Sequence, residues 1–394
     1  MVSLEQAEIL LLNKIPKLKT EKISLNEARG RILSEDIFAT IDNPPFDRSP
    51  LDGYAIIAED TFDLTDFVEL KVIDTEYAGY ISKEVVKSKT AIKITTGAKI
   101  PEGANCIVRK EDTEFLDEYV KVFVSLKPYQ NYCFKGEDYK EGQKLISKDI
   151  KITSSEIMAL SSLGIKEVHV YKKPIVGIIN TGDEIQEIGT KLEIGKIYNS
   201  NGYFLKSRLE ELGCIGKIYD IICDSDEEIV KAIESLEDEC DIIISTGGVS
   251  VGEKDIVKES TVKAGYDILF WKIDMKPGSP MFAAYKNNKL YIGLSGTPVA
   301  AGTSFELTAR KVIEKMFNIK SNKKYGCVLK DDFNKVTLKR RFLRVFVDEF
   351  NNVFINNVYQ TPGQVHTMIN SNGILEIPPN TAFNKGQKVN ILMI

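Results

Sequence analysis

Residues Ser245–Asp255 read STGGVSVGEKD and follow directly on the apolar run DIII. A turn needs about one glycine; this loop has three and ends in a carboxylate. Glycine lets a backbone approach a ligand closely and present its N–H groups. The helix that follows adds its positive end. Such a loop suits an anion, phosphate above all. Asp255, at its far end, could hold a metal ion that the phosphate also touches. Two better-known glycine signatures fit poorly. Gly247 and Gly252 have Walker A spacing, but Glu253 and Lys254 follow where Lys and Ser/Thr are required. A dinucleotide fingerprint needs GxGxxG, and this stretch is GGxxxG.

Three further stretches share this character. NTGDE (180–184) closes the apolar run PIVGIIN, Asp224 closes GKIYDIIC, and LSGTP (294–298) closes KLYIGL. In a parallel α/β sheet ligands bind beyond the carboxyl ends of the strands, so four loops rich in Gly, Ser, Thr and acid should crowd one edge. Lys272 and Lys276, at the segment DMKPGSP (274–280), could set cations over a polyanion; they also read as solvated lysines beside a proline turn. Asp183 and Glu184 also read as a helix-start pair, and Asp224 as a helix N-cap. A phosphate site with a divalent metal accounts for glycines, acids and lysines together.

The elements that must position these loops follow from periodicity. From Pro174 strands and helices alternate: strands at 174–180, 216–223, 241–245 and 289–294; helices at 201–213, 226–239, 254–265 and 303–317. That alternation predicts a parallel sheet with right-handed crossovers. Residues 1–40 read as helical with polar breaks, with Ser24 and Glu27 as a capping box. The prolines of NPPFDRSPLDGYAI (43–56) rule out a helix or a central strand there. Short strands between turns fill 53–147 and suggest a small all-β module; 154–168 returns to helical spacing. The last stretch, 320–394, is strand-like again and predicts a small β-barrel or sandwich. The fold class is therefore α/β multidomain with a central parallel sheet.

Bulk properties narrow the function. A chain of 394 residues predicts two to four domains. Its net charge of −5 disfavours nucleic acid as a partner. No apolar run approaches the roughly 20 residues of a membrane span, and the N-terminus reads as an amphipathic helix rather than a signal peptide. Six scattered cysteines read as reduced thiols of a cytoplasmic protein. Two isolated histidines, His169 and His366, argue against a zinc site or a Ser-His-Asp triad.

In these motifs the chain resembles the molybdopterin molybdenumtransferase family, bacterial MoeA and the E domain of gephyrin. The blocks run in order: PPFDRSPLDGYAI (44–56), ITTGAKIPEGANCIV (94–108), GEDYKEGQKL (136–145), NTGDEI, YNSNGYFL, STGGVSVGEKD and MKPGSP. The resemblance implies an enzyme that inserts molybdate into adenylylated molybdopterin with loss of AMP and assistance from Mg²⁺. It implies a homodimer, supplied by an upstream molybdopterin adenylyltransferase, with each active cleft shared between subunits. It implies four domains: a discontinuous linker domain (1–45 plus 146–173), a β-rich module (46–145), an α/β molybdopterin-binding domain (174–318) and a C-terminal β-barrel (319–394).

Carried over residue by residue, Asp52, Thr96 and Asp138 serve catalysis from the β module. Glu184, Asp224 and Asp255 serve from the α/β domain and also hold the metal. Gly247, Gly248, Ser250 and Gly252 cradle the pterin phosphate, with Lys272, Lys276, Ser295, Pro298 and Arg344 as further substrate contacts. The chain also departs from the family pattern. Ser295 and Thr297 stand where proline and asparagine are usual, and Ser279 where lysine is common; GQVHTMINSNG (363–373) aligns poorly with a serine-rich turn. These departures leave open a molybdopterin-binding scaffold with altered or lost turnover. A tungsten insertase and a nucleotidyltransferase acting on free molybdopterin are further alternatives.

Overall fold

The fold is that of a computed structural model, which describes residues 1–249, 256–319, 323–355 and 360–394. The chain divides into two compact units. The first comprises residues 1–34, 149–153 and 167–394; the second comprises 35–148 and 154–166.

The first unit is built on a six-stranded sheet. Its strands are β1 (Ile175–Asn180), β2 (Ile215–Ile218), β3 (Ile242–Thr246), β4 (Asp267–Trp271), β5 (Phe282–Lys286) and β6 (Lys289–Leu294), in the order β2-β1-β3-β6-β5-β4. The four strands expected from the alternation pair in parallel. β4 and β5 were not foreseen, because they sit on either side of the proline-rich DMKPGSP. β5 is antiparallel to both its neighbours, so β4 again points the same way as the parallel strands. β2 is shorter than expected: Ile178 pairs with Ile218 but Thr181 with Ile222, so one extra residue bulges out between them.

Alternation along the strands makes two cores. Val176, Ile178, Ile242, Ile244, Leu290 and Ile292 face one way, against α1 (Leu4–Leu12), α2 (Ser200–Glu211), α5 (Pro298–Leu307) and α6 (Ala309–Met316). Ile179, Ile243, Phe282 and Tyr291 face the other way, against α3 (Asp226–Glu237) and α4 (Ile256–Lys263). Each such side chain, fully buried, contributes roughly 1.5–3 kcal/mol. The expected helix at 303–317 begins earlier, at Pro298, and breaks at Thr308, whose hydroxyl donates back to the Ser304 carbonyl (2.6 Å).

The rest of this unit includes a closed five-stranded barrel. It is made of β7 (Lys323–Leu329), β8 (Arg341–Val347), β9 (Asn352–Phe354), β10 (Gly373–Ile377) and β11 (Lys388–Met393). The N-terminal stretch is less helical than its sequence suggests. After α1, Thr20–Ser24 is a strand paired with Glu167–Tyr171, and Ser24 caps only a three-residue 3₁₀ turn.

The second unit holds another six-stranded sheet. Its central strands are Gly53–Ile56, Thr90–Ile94 and Val68–Glu76, and its core is formed by Tyr54, Ile56, Leu70, Val108, Val120 and Val122.

Candidate functional site

The carboxyl ends of the strands in the first unit are level. Register sets Asn180 beside Thr246 and Thr246 beside Leu294; Gly293 faces Phe282, which faces Trp271. The loops that follow are tied to one another. Thr181 N–H donates to the Thr246 carbonyl (3.0 Å) and Gly182 N–H to that of Ile222 (3.3 Å). The Asn201 amide donates to the Gly296 carbonyl (2.8 Å), and the Thr246 hydroxyl to Asn180 Oδ1 (3.0 Å).

Gly247 sits where these loops meet. Its φ is +97°, and a Cβ there would stand 2.2 Å from the Thr181 carbonyl oxygen. A Cβ on Gly296 would in turn come within 3.2 Å of the Gly247 Cα. Glycine here lets three loops pack backbone to backbone, a need separate from any ligand. At Gly248 (φ +59°) a Cβ would meet Val257 Cγ2 at 2.4 Å. Ser250, Gly252 and Asp255 lie outside the described residues.

Asn180 Nδ2 and Thr181 Oγ1 are among the buried polar atoms at this edge that have no partner among the described residues. Sequence reading placed both in the NTGDE loop but gave neither a role of its own. Their signal was position, polar residues at the end of an otherwise apolar strand. A buried amide or hydroxyl without a partner is costly, and both can donate to an anion.

The acids are arranged differently from a simple row. Asp183, not Glu184, joins two loops: its Oδ1 accepts the Asp224 N–H (3.3 Å). Glu184 is exposed and curls back on its own turn, its Oε2 2.6 Å from where a Gly182 Cβ would be. Asp224 is not the N-cap of α3, since Ser225 holds that position. Among the described residues no three Asp, Glu, His or Cys side chains converge as a metal site. Glu184 and Asp224 nonetheless offer the hard oxygen donors that Mg²⁺ takes, on loops that touch through Asp183.

The lysines sit on the segment after β4. Lys272 adopts φ +66°, with its ammonium 3.9 Å from the Trp271 ring centroid. Lys276 is exposed at its side chain, while its backbone is fixed to the barrel through Arg340 and Phe342 (2.9 Å each). Ser279, where a family lysine is common, turns inward and donates to the Ile273 carbonyl (2.7 Å). Ser295 and Thr297 place their hydroxyls 3.2 Å apart, and Pro298 opens α5.

Arg344 lies apart on β8, in a pocket of about 460 Å³ between α2, α5 and the barrel. It is only 3% exposed. One guanidinium nitrogen donates to Thr367 Oγ1 (2.7 Å), and Nε has no partner among the described residues. Burial without a countercharge pushes the guanidinium down to about 10. Thr303 Oγ1 lines the same pocket and is also unpartnered among the described residues. An anion entering here would find a desolvated cation and free donors.

In the second unit, Asp52 and Thr96 are in contact. Asp52 Oδ1 accepts the Thr96 N–H (2.7 Å) and its hydroxyl (2.9 Å). The Thr96 backbone bond, then its hydroxyl, hold the Asp52 carboxyl below the usual range. Asp138 is held separately, by Asn43 (2.8 Å).

The whole chain can be set against known proteins. The MoeA N-terminal region (domain I and II) matches residues 2–164, a probable molybdopterin binding domain matches 177–315, and the MoeA C-terminal region (domain IV) matches 327–394. The chain belongs to the MoeA family. Molybdopterin molybdenumtransferase of Staphylococcus epidermidis is 33% identical over 401 residues, covering 100% of this chain and 95% of that protein. Its Haemophilus influenzae counterpart is 37% identical over 326 residues, covering 82% of this chain and 80% of its own. The crystal structure of a molybdopterin biosynthesis MoeA protein from Pyrococcus horikoshii superposes with a TM-score of 0.90 at 29% identity, covering 100% of this chain and 99% of that one. Membership places this MoeA chain in molybdenum cofactor biosynthesis.

Proposed function

We propose that the chain is a molybdopterin molybdenumtransferase, joining molybdate to the dithiolene of adenylylated molybdopterin as AMP departs. The observation that carries this reading is the level sheet edge, where three loops meet at Gly247 and leave Asn180 Nδ2 and Thr181 Oγ1 open. The pterin phosphate binds there, with Gly248, Ser250 and Gly252 completing the cradle. Ser295 and Pro298 border it.

Diphosphate and molybdate are both anions, so cations must offset their charge before they can meet. Lys272 and Lys276 do so beside the edge, and Arg344 from the barrel. Phosphoanhydride cleavage depends on positioning and charge stabilisation more than on covalent help. Glu184, Asp224 and Asp255 orient the attacking oxygen; Asp52, Thr96 and Asp138 belong to the same catalytic set. Mg²⁺, held by Glu184, Asp224 and Asp255, would supply Lewis-acid charge neutralisation. The four-part domain division, a homodimer, a cytoplasmic location and supply by an upstream adenylyltransferase complete the proposal.

The experiment is AMP release from adenylylated molybdopterin on adding molybdate and Mg²⁺. Stoichiometric release supports the transferase. A second reading, a pterin-binding scaffold, is favoured by the Ser279 hydroxyl bonded inward where a lysine is usual. Binding without AMP release would support it. Competition between molybdate and tungstate in the same assay assigns the metal.

A further inference from the structure

The chain has a single tryptophan, and two lysines sit against its ring. Trp271 ends β4 at the carboxyl edge. The Lys272 ammonium lies 3.9 Å from the ring centroid and that of Lys258, on α4, 4.2 Å. The two ammonium groups are thus no more than about 8 Å apart, the sum of those distances. Neither forms an ion pair with a described residue. Trp271 Nε1 is shielded from solvent without a partner among the described residues. The ring's contribution is therefore its faces, which attract cations through their quadrupole.

The backbone is committed to this arrangement. Lys272 takes a left-handed φ of +66°, unusual for a lysine. It is pinned on both sides: its N–H donates to the Met281 carbonyl (2.8 Å), and its carbonyl accepts the Val2 N–H (2.9 Å). Like charges this close repel unless something holds them, and a shared aromatic ring does so without neutralising either. Each ammonium, held within about 4 Å of the same ring, can direct charge-assisted bonds of about 2.8 Å at separate oxygens of a diphosphate lying along the ring's edge.

We infer that Trp271 is a positioning residue and Lys258 a second, previously unassigned cation, together with Lys272 forming a clamp for the diphosphate of the substrate. The inference rests on the proposed function for the identity of that substrate, though the clamp itself would bind any diphosphate. Lys258 has no place in the motif-derived set. Its role comes from the ring it shares with Lys272, 14 positions later.

Trp271 emission reports this ring alone, because the chain has no other tryptophan. Titration with inorganic pyrophosphate at low salt should change it saturably. By calorimetry, Lys258→Met should raise the pyrophosphate dissociation constant about tenfold, and Trp271→Leu should match it. Trp271→Phe keeps a ring face and should stay within about threefold of wild type. In turnover, Lys258→Met and Trp271→Leu should lose efficiency in KM rather than kcat. Unchanged affinity in Lys258→Met, or equal affinities for the leucine and phenylalanine variants, would overturn the clamp. Lys258→Met alters only a half-buried helix position, so it decides the matter even if Trp271→Leu folds poorly. If wild type binds pyrophosphate in this pattern but releases no AMP, the proposed reaction fails and the clamp stands. If AMP is released and Lys258→Met binds normally, only the clamp fails.

Discussion

An Arg344→Met substitution removes a guanidinium that is 3% exposed and has no carboxylate partner among the described residues. Burial holds it down at about 10. Against an ordinary guanidinium near 12.5, and at 1.36 kcal/mol per decade of proton affinity, keeping that charge inside costs the folded chain about 3 kcal/mol at neutral pH. The sign is that of a buried base. The cost is fully present below pH 10 and eases only as pH rises through that value, so it applies throughout the physiological range. Removing the side chain also forfeits the bond to Thr367 Oγ1, a loss of about 1–1.5 kcal/mol. Methionine refills most of the volume with a flexible apolar chain. The net expectation without ligand is a gain of about 1–2 kcal/mol, a rise of roughly 2–6 °C in the melting temperature of the first unit. Molybdate should stabilise the wild type and do so less in the variant, because the cation it would contact is gone. Calorimetric melts of both proteins at pH 7.5, with and without molybdate, test this. A variant less stable than wild type by more than about 1 kcal/mol would refute the reasoning. It would mean that the guanidinium is already compensated.

Other substitutions probe the same account. Gly247→Ala adds a Cβ at φ +97° that would stand 2.2 Å from the Thr181 carbonyl; denaturant melts should show a loss of roughly 2–4 kcal/mol. Asp52 has its folded pKa depressed by Thr96, so its share of stability is present above the ordinary carboxylate range and lost only as pH falls through the folded value. Its charge should therefore add no inflection to the pH–rate profile near neutrality, while Asp52→Asn should lower kcat about 10- to 100-fold at every pH tested. Burial pushes the Cys106 and Cys214 thiols up to about 12, whereas Cys223 is exposed. A thiol-reactive disulfide reagent should label native protein at Cys223 and the half-buried Cys133, and reach the four buried thiols only after unfolding.

Much of the fold was legible because periodicity reports which face of an element is buried. Val176 and Ile178 against Ile175 and Ile179 already describe a sheet covered on both sides, and Gly213 closes α2 with φ +85° where the sequence places the helix stop. Strand β5 and the edge strand β4 were hidden because local pattern is weak beside two prolines and a bulge between Ile268 and Phe270. The N-terminal stretch misled because Thr20–Ser24 owes its extended form to a partner almost 150 residues away. At the site, the loops and lysines could be read from composition and motif. The reason for Gly247 could not, because it is the Thr181 carbonyl on another strand. The isolation of Arg344 and the ring shared by Lys258 and Lys272 depend on side chains that meet only in three dimensions.

The most direct measurement is a crystal structure of the protein with adenylylated molybdopterin. The account predicts the diphosphate against the loops at 180–184, 245–248 and 294–298, within hydrogen-bond reach of Thr181 Oγ1 and with Lys272 beside it. Density for the diphosphate elsewhere, with those loops touching only solvent, would contradict it.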